Sequence, residues 1–581
     1  MIFYDFEVFK YDWLVVLINP IEQDETVIVN DKTKLENYYS KHKDDIWVGF
    51  NSRHYDQWIL KAILCDFDPK EISDYIIVQN CPGWSFSSVL REFPLNNYDV
   101  MSGVDRGLKT FEGFMGNDIR ETSVSFDIDR KLTAEEIAET IKYCRHDVEQ
   151  TIEVFLKRKS DFDAQMGLLK MFNLPLSSIS KTKVQLSAEI LEAKAQTYFD
   201  EFDISFPDTM RIEKYKAVVD WYKDPKNSCY ERYEKGKSGK EVLKKTQLEI
   251  DVDGVPHVFG WGGVHGAREK YFGEGYFINM DVASLYPSLM IRYNLLSRSC
   301  NPAKFADIVK TRLKYKKEKN PLQAPLKIVI NGTYGAMKDP NNPLYDPRQA
   351  NNVCVYGQLL LLDLIEHLEP YAEIIQSNTD GVLIKMPDGQ NEDKFYNLID
   401  DVASEWEERT GLILEFDEYR KVFQKDVNNY VIVDAKGHYK AKGAYVKKLS
   451  PLDYDIAIVN RALIDFMVKK TPVEVTISKC DKLIEFQQVK KISGKYEYIK
   501  HGEKILSEKT VRCFASVRQS DSGLKKKHST TKRFAKMEGT PEHCFLMNGN
   551  IDGEKCPPEL DKKWYINLAK KRLKDFGFER V

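Results

Sequence analysis

Two aspartates, Asp281 and Asp380, stand where a carboxylate could be handed to a metal ion. Asp281 opens the segment DVASLYPS, which ends at Ser288 and follows the apolar, aromatic run Tyr276–Met280. A short strand running into a turn fixed by Pro287 would leave Asp281 at the strand's end. Asp380 lies in Ser377-Asn-Thr-Asp-Gly381, wedged between two apolar runs, the pattern of a tight hairpin with Asp380 at its tip. Phosphoryl transfer by two metals needs carboxylates from separate strands, because two cations a few ångströms apart must bridge the same oxygens. Between these aspartates lies Lys327-Ile-Val-Ile-Asn331-Gly-Thr-Tyr334-Gly335. On a helix Lys327, Asn331 and Tyr334 share one face. A cation, an amide and an aromatic so aligned suit the triphosphate, sugar and base of a nucleotide.

A second set of acids lies nearer the N-terminus. Met1–Val8 reads as an edge-to-core strand with Leu14–Ile18 as its hairpin partner, and Asp5 and Glu7 would share one face of it. That spacing alone is a poor signal, since it recurs at Asp147/Glu149 and Asp552/Glu554, and two solvated acids are the plain alternative. The segments Asn51-Ser-Arg-His-Tyr55-Asp56 and Tyr143-Cys-Arg-His-Asp147 shift the balance. Tyr143 and Asp147 would share a helix face after the cap-like Thr133–Glu136 opening. Four acids crowded together repel, and cations make such a cluster tolerable. His54 and His146 read as residues that pack nearby.

DxxSLYPS, then KxxxNxxYG, then a TD hairpin resembles the A, B and C motifs of family B DNA polymerases, most closely the compact bacteriophage-type members. Asp-x-Glu, Nx3(F/Y)D and Yx3D resemble the exonuclease motifs of the same family, in order. The resemblance implies an α/β multidomain fold: an RNase H-like 3′–5′ exonuclease domain (1–155), a helical connector (156–250), a palm in two parts (251–300 and 346–450), fingers (301–345) and a thumb (451–581). It implies a template-directed DNA polymerase with proofreading, acting in replication. Asp281, Asp380 and the carbonyl of Val282 would hold two Mg²⁺, with Mn²⁺ as a substitute. Asp5, Glu7, Asp56 and Asp147 would hold two more, Tyr143 orienting the attacking water. Ser284, Leu285, Tyr286, Arg312, Lys316, Lys327 and Asn331 would bind the nucleotide. Asn51, Tyr55, Leu108, Gly262, Gly263, Tyr334, Gly335, Tyr430 and Lys442 would contact DNA.

Several matches depart from the pattern. Gly107-Leu108-Lys109-Thr110-Phe111 resembles the (S/T)Lx2h element with glycine in first place, so Lys109 or Thr110 would have to replace its hydroxyl, and a surface turn is the alternative. Gly262-Gly263 looks like the YxGG loop, with Phe259 or Trp261 supplying the aromatic. Tyr430 and Lys442 sit where a KxY motif and a basic turn are expected, though the first lysine is missing. Asn378 stands where relatives carry an aspartate. Two other readings stay open: an exonuclease with a degenerate polymerase half, and a non-catalytic DNA-binding protein.

The 581 residues exceed one core. A net charge of -3 argues against a uniformly basic nucleic-acid coat, so DNA contact must come from local patches. Candidates are Lys304–Lys327, where Asn320-Pro321 separates two helices, and the C-terminal lysines of 525–533 and of a helix over Leu560–Phe576, which read equally as solvated faces. Tyr230–Lys245 reads as a charged loop and Gln349–Leu368 as a helix behind the palm. The ten cysteines form no CxxC pair and read as reduced core thiols, placing the protein in the cytoplasm. The longest apolar run, Leu359–Leu362, stops at Asp363, so no membrane span is expected. A monomer working on primer-template DNA and dNTPs is expected. Two helices fill Leu289–Leu326 and leave no room for an enclosing insertion. Priming from a nucleic-acid 3′-hydroxyl, with a helicase or clamp-like partner, follows.

Overall fold

The computed structural model describes residues 1–104, 106–235 and 241–579. The chain forms two compact units: Met1–Thr182 with Leu449–Val459 and Glu474–Asn567, and Lys183–Lys448 with Asn460–Val473 and Leu568–Val581. Both combine helices with sheets, as the α/β multidomain expectation required. The 451–581 stretch is divided between the units.

The first unit is built on a mixed five-stranded sheet ordered β3-β2-β1-β4-β5, from β1 (Ile2–Val8), β2 (Trp13–Asn19), β3 (Asp24–Val29), β4 (Trp47–Gly49) and β5 (Asn97–Asp99). The β1–β2 hairpin is the expected one, but β1 is the central strand and not an edge: it runs antiparallel to β2 and parallel to β4. Its residues explain this, since Ile2, Phe3, Tyr4, Phe6 and Val8 are all buried, which only a strand covered on both faces permits. Helix Ala134–Lys157 packs on β1 and β2. It opens with a full capping box: Thr133 Oγ1 accepts from Glu136 N–H at 3.2 Å and Glu136 Oε2 accepts from Thr133 N–H at 2.8 Å. A cap of this kind contributes about 1 kcal/mol.

The C-terminal part of this unit carries a three-stranded and a four-stranded antiparallel sheet. The basic run begins in the strand Leu524–His528, and the last helix spans Lys562–Asp575. Arg512 ties this part to helix Leu108–Met115. Fully buried, it donates to the carbonyls of Gly549 (2.7 Å), Asn117 (2.7 Å) and Gly113 (3.0 Å). Burial pushes its guanidinium down to about 10, against the pull of Asp118 and Glu112.

In the second unit β6 (Glu231–Lys235) and β7 (Glu241–Lys245) form a hairpin where the sequence reads as a loop. Charges that look loop-like pair across the strands, Glu231 facing Lys245 and Lys244 Nζ meeting Glu234 at 3.1 Å. Residues 236–240 of that expected loop lie outside the described residues. Strands therefore occupy part of the stretch expected to be a helical connector. A nine-stranded antiparallel sheet, ordered β16-β15-β14-β11-β13-β12-β10-β9-β8, forms the body. Its strands are β8 (Gln247–Val252), β9 (Val255–Gly260), β10 (His265–Ala267), β11 (Tyr271–Val282), β12 (Glu373–Asn378), β13 (Gly381–Lys385), β14 (Leu414–Asp426), β15 (Asn429–Val433) and β16 (Tyr439–Lys442).

Helix Pro347–Leu368 is buried along nearly its whole length and packs on β12 and β13. Between Leu289 and Leu326 there is room for one full helix, Pro302–Lys317; the next, Gln323–Met337, is already the one carrying Lys327 and Asn331. Among the described residues no helix is long and apolar enough to cross a membrane. All ten cysteines are free.

Candidate active sites

In the second unit the central strand β11 delivers Asp281 and the β12–β13 hairpin delivers Asp380. Asn378 faces Gly381 across the hairpin, leaving Thr379 and Asp380 as a two-residue loop. Asp281 faces Gly381 on one side and Glu415 on the other. The Val282 N–H donates to the Asp380 carbonyl at 2.7 Å, fixing the loop against the strand end. The Asp281 carboxyl is pushed up to about 6, first by burial and next by the Asp380 charge, with Lys440 opposing.

The turn after Asp281 is made by Ser284 and not by Pro287. Ser284 takes a left-handed conformation (φ 52°, ψ 54°) and caps helix Leu285–Arg292; Pro287 sits in the first turn, where a missing N–H costs no helical bond. Such a conformation at a residue other than glycine costs free energy that the surrounding packing must offset. Tyr286, two residues on, lies with its ring centroid 4.5 Å from that of Tyr334. Leu285 is buried and packs in the core. Lys327, Asn331 and Gly335 are exposed and Tyr334 half-buried, so the expected outer face of helix Gln323–Met337 is present. Arg312 and Lys316 lie on the preceding helix, which packs against it. Lys316 reaches Glu415, the register partner of Asp281, at 3.9 Å.

Tyr430 and Lys442 face each other on β15 and β16 and line one pocket with Asp281, Asn378 and Gly381. Gly262 is exposed; Gly263 approaches the hairpin so closely that a Cβ would stand 2.6 Å from Thr379 Oγ1. Neither Phe259 nor Trp261 is available as the aromatic of that loop, because Phe259 is fully buried and Trp261 is buried with its Nε1–H bonded to the Asn227 carbonyl at 2.9 Å. His265 was not singled out by the sequence reading; burial pushes its imidazole down, the Lys442 charge adding to this and Asn378 opposing it.

In the first unit Asp5 and Glu7 project from one face of β1 and meet Asp147 from helix Ala134–Lys157 and Asp56 from the first turn of helix Asp56–Leu64. Asp5, Glu7 and Cys144 offer ligand atoms within 4.8 Å of one another. Burial is the largest cause of the upward shift at all four acids, and each also feels other acids of the cluster. Asp56 rises to about 7 and Asp147 to about 6. The Phe6 N–H donates to Asp56 Oδ1 at 3.1 Å and holds it in place.

Lys109 enters the cluster from helix Leu108–Met115, where Gly107 is the cap and Leu108 the first residue. Its Nζ donates to Asp147 Oδ1 and to Glu112 Oε1 and lies 4.6 Å from the centroid of the Tyr143 ring. Burial raises the Tyr143 hydroxyl far above its ordinary value, and the charges of Asp147, Glu7 and Asp5 add to this. Asn51 adopts a left-handed φ of 61° and its N–H donates to buried Asp99 at 2.9 Å; Tyr55 hydroxyl is tied to Ser73 Oγ at 2.8 Å. His54 is exposed, in the turn that ends at Tyr55. His146 is buried, with Nε2 3.1 Å from the Asp118 carbonyl. Glu112 and Asp99 escaped the sequence reading; Lys109 and Glu112, one helical turn apart, were the available signal.

The carboxylates of both groups offer anionic oxygen, the donor chemistry of a hard divalent cation. In the first unit burial and mutual repulsion raise the pKa values of the four acids, a cost that a bound cation would relieve.

A scan of protein-family models finds no match. DNA polymerase 1 of Saccharolobus solfataricus is 24% identical over 277 residues, which is 39% of this chain and 30% of that protein. The family B DNA polymerase of the hyperthermophilic archaeon Pyrobaculum calidifontis is a structural neighbour at TM-score 0.40 and 13% identity, covering 100% of this chain and 78% of that one. The aligned stretch is under a third of the curated relative's length, so that protein's activity is not transferred by the match.

Proposed function

We propose that the chain is a template-directed DNA polymerase of the family B kind, with a 3′–5′ exonuclease in its first unit. The observation that carries the reading is the convergence of Asp281 and Asp380, distant in sequence, at the junction of β11 with the β12–β13 hairpin. The ordered motifs and the partial likeness to DNA polymerase 1 support it. The bacteriophage type, the domain names of the right hand and Mg²⁺ in particular rest on motif resemblance, and a helicase or clamp-like partner on the short stretch between Leu289 and Leu326.

Asp281, Asp380 and the Val282 carbonyl would hold divalent ions, as would Asp5, Glu7, Asp56 and Asp147 in the other unit. When bound, such ions activate the attacking oxygen and neutralise charge on the phosphates. The chain's own part is positioning. Lys327 and Asn331, with Arg312 and Lys316 on the neighbouring helix, meet the triphosphate, while Tyr286 packed on Tyr334 forms the floor under the sugar. Tyr430 and Lys442 bind the primer backbone beside Asp281. In the first unit Tyr143, one helical turn before Asp147, orients water on a single-stranded 3′ end.

A primer-template assay with a divalent ion, with and without dNTPs, tests the reading. Extension with dNTPs and shortening without them is expected. Shortening alone would leave the degenerate-polymerase reading standing, and retention alone the non-catalytic one.

A further inference from the structure

The four acids of the first unit are not left bare: the chain supplies its own cation. Lys109 Nζ is bonded to Asp147 Oδ1 and, at 3.1 Å, to Glu112 Oε1, with its side chain only 14% exposed. Its charge also acts on Glu7. Glu112 is fully buried, sits one turn along the same helix, and also has His146 Nε2 at 3.7 Å. A buried ammonium and a divalent ion cannot share one carboxylate at close range without strong repulsion, because little solvent is present to screen them. A lysine, unlike the planar fork of an arginine, is a compact charge on a flexible stem and can swing between two acceptors.

Resting on the metal-site reading of this cluster, we propose that Lys109 is a resident counter-ion that a divalent cation must displace from Asp147, and that Glu112 is the positioning residue that keeps the displaced ammonium. Loading of the exonuclease-like site is then an exchange of cations. The metal-free protein keeps one positive charge among its acids, and metal affinity is lowered by what it takes to move Lys109.

The test uses the full chain with Asp281→Asn and Asp380→Asn, so that Mn²⁺ binding reports the first unit. Mn²⁺ affinity is read by calorimetry and by the electron paramagnetic resonance of free ion, and melting is followed with and without Mn²⁺. Lys109→Met, which keeps the apolar stem, should tighten Mn²⁺ binding by roughly tenfold, lower the metal-free melting temperature and leave the Mn²⁺-saturated one near the parent's. Glu112→Gln, which loosens the hold on Lys109 without emptying the site, should lower the metal-free melting temperature less than Lys109→Met does. Unchanged or weaker Mn²⁺ binding by Lys109→Met would overturn the exchange. If that variant does not fold, an unchanged metal-free melting temperature in Glu112→Gln would do so. Absence of Mn²⁺ binding in the parent background would instead overturn the metal-site reading itself.

Discussion

The carboxylate of Asp281 lies against the Cα of Gly381, its partner across the β11–β13 pair, where no Cβ could stand. Glycine follows Asp380 because the first aspartate needs that space. Gly381→Ala should therefore push Asp281 aside and reduce primer extension by roughly 100-fold, as small misplacements of catalytic groups do. Circular dichroism and melting should show the fold kept. Near-parental extension by this variant would mean that Asp281 need not stand where it is seen.

The two acid groups belong to different units and should fail separately. Asp281→Ala or Asp380→Ala should reduce extension by about 10³-fold or more while single-strand degradation persists. Asp5→Ala with Glu7→Ala should do the reverse. Primer-template and single-strand assays on the same preparations read both, and joint loss of the two activities in either variant would contradict the separation.

Stability of the metal-free protein should fall as pH rises. Asp56 and Asp147 ionise at about 7 and about 6 in the folded chain against 3.8 in the unfolded one. Their contribution is fully present below pH 3.8 and is lost as pH climbs through 6 to 7, because ionisation then favours the unfolded state. Melting in a chelator from pH 5 to 8 should show a declining midpoint, and divalent ions should flatten that decline. A midpoint that rises over this range would refute the assignment of buried, mutually repelling acids.

Tyr286 should exclude ribonucleotides. Its ring rests on Tyr334, so it cannot retreat from a 2′-hydroxyl. Tyr286→Ala should raise ribonucleotide incorporation relative to dNTPs by roughly tenfold, measured by competition in single-nucleotide extension. An unchanged ratio would remove Tyr286 from that role.

Asn378 should prove to be a hairpin brace. Its Oδ1 accepts the Thr379 N–H at 3.0 Å and so fixes the start of the two-residue loop. Asn378→Asp should be tolerated, because an aspartate oxygen can take over the acceptor role, and Asn378→Ala should slow extension only moderately. A loss as complete as that of Asp380→Ala would reverse the roles of the two hairpin residues.

How far the sequence could be read depended on whether a feature was local. The hairpin at Asp380, the capping box at Thr133 and the outward face of Lys327, Asn331 and Tyr334 depend on spacings of a few residues, and all were legible. The centrality of β1 was not, since it depends on parallel pairing with β4, set by long-range packing. The left-handed Ser284 was hidden because no residue type demands it, and proline beside it drew attention instead. Lys109 looked like a substitute phosphate contact; its place among the acids depends on a helix that packs from elsewhere in the fold.

The Arg512 contacts bear on how the protein is made. The carbonyls of helix Leu108–Met115 and of Asn117 that Arg512 satisfies lie as much as 400 residues earlier in the chain. During synthesis the helix bearing Lys109 and Glu112 emerges long before the side chain that anchors its C-terminal end. That anchor is translated only after Asp281 and Asp380 of the second unit. Although the four acids of the first cluster all lie before residue 148, a fragment cut after the first helices would lack this anchor.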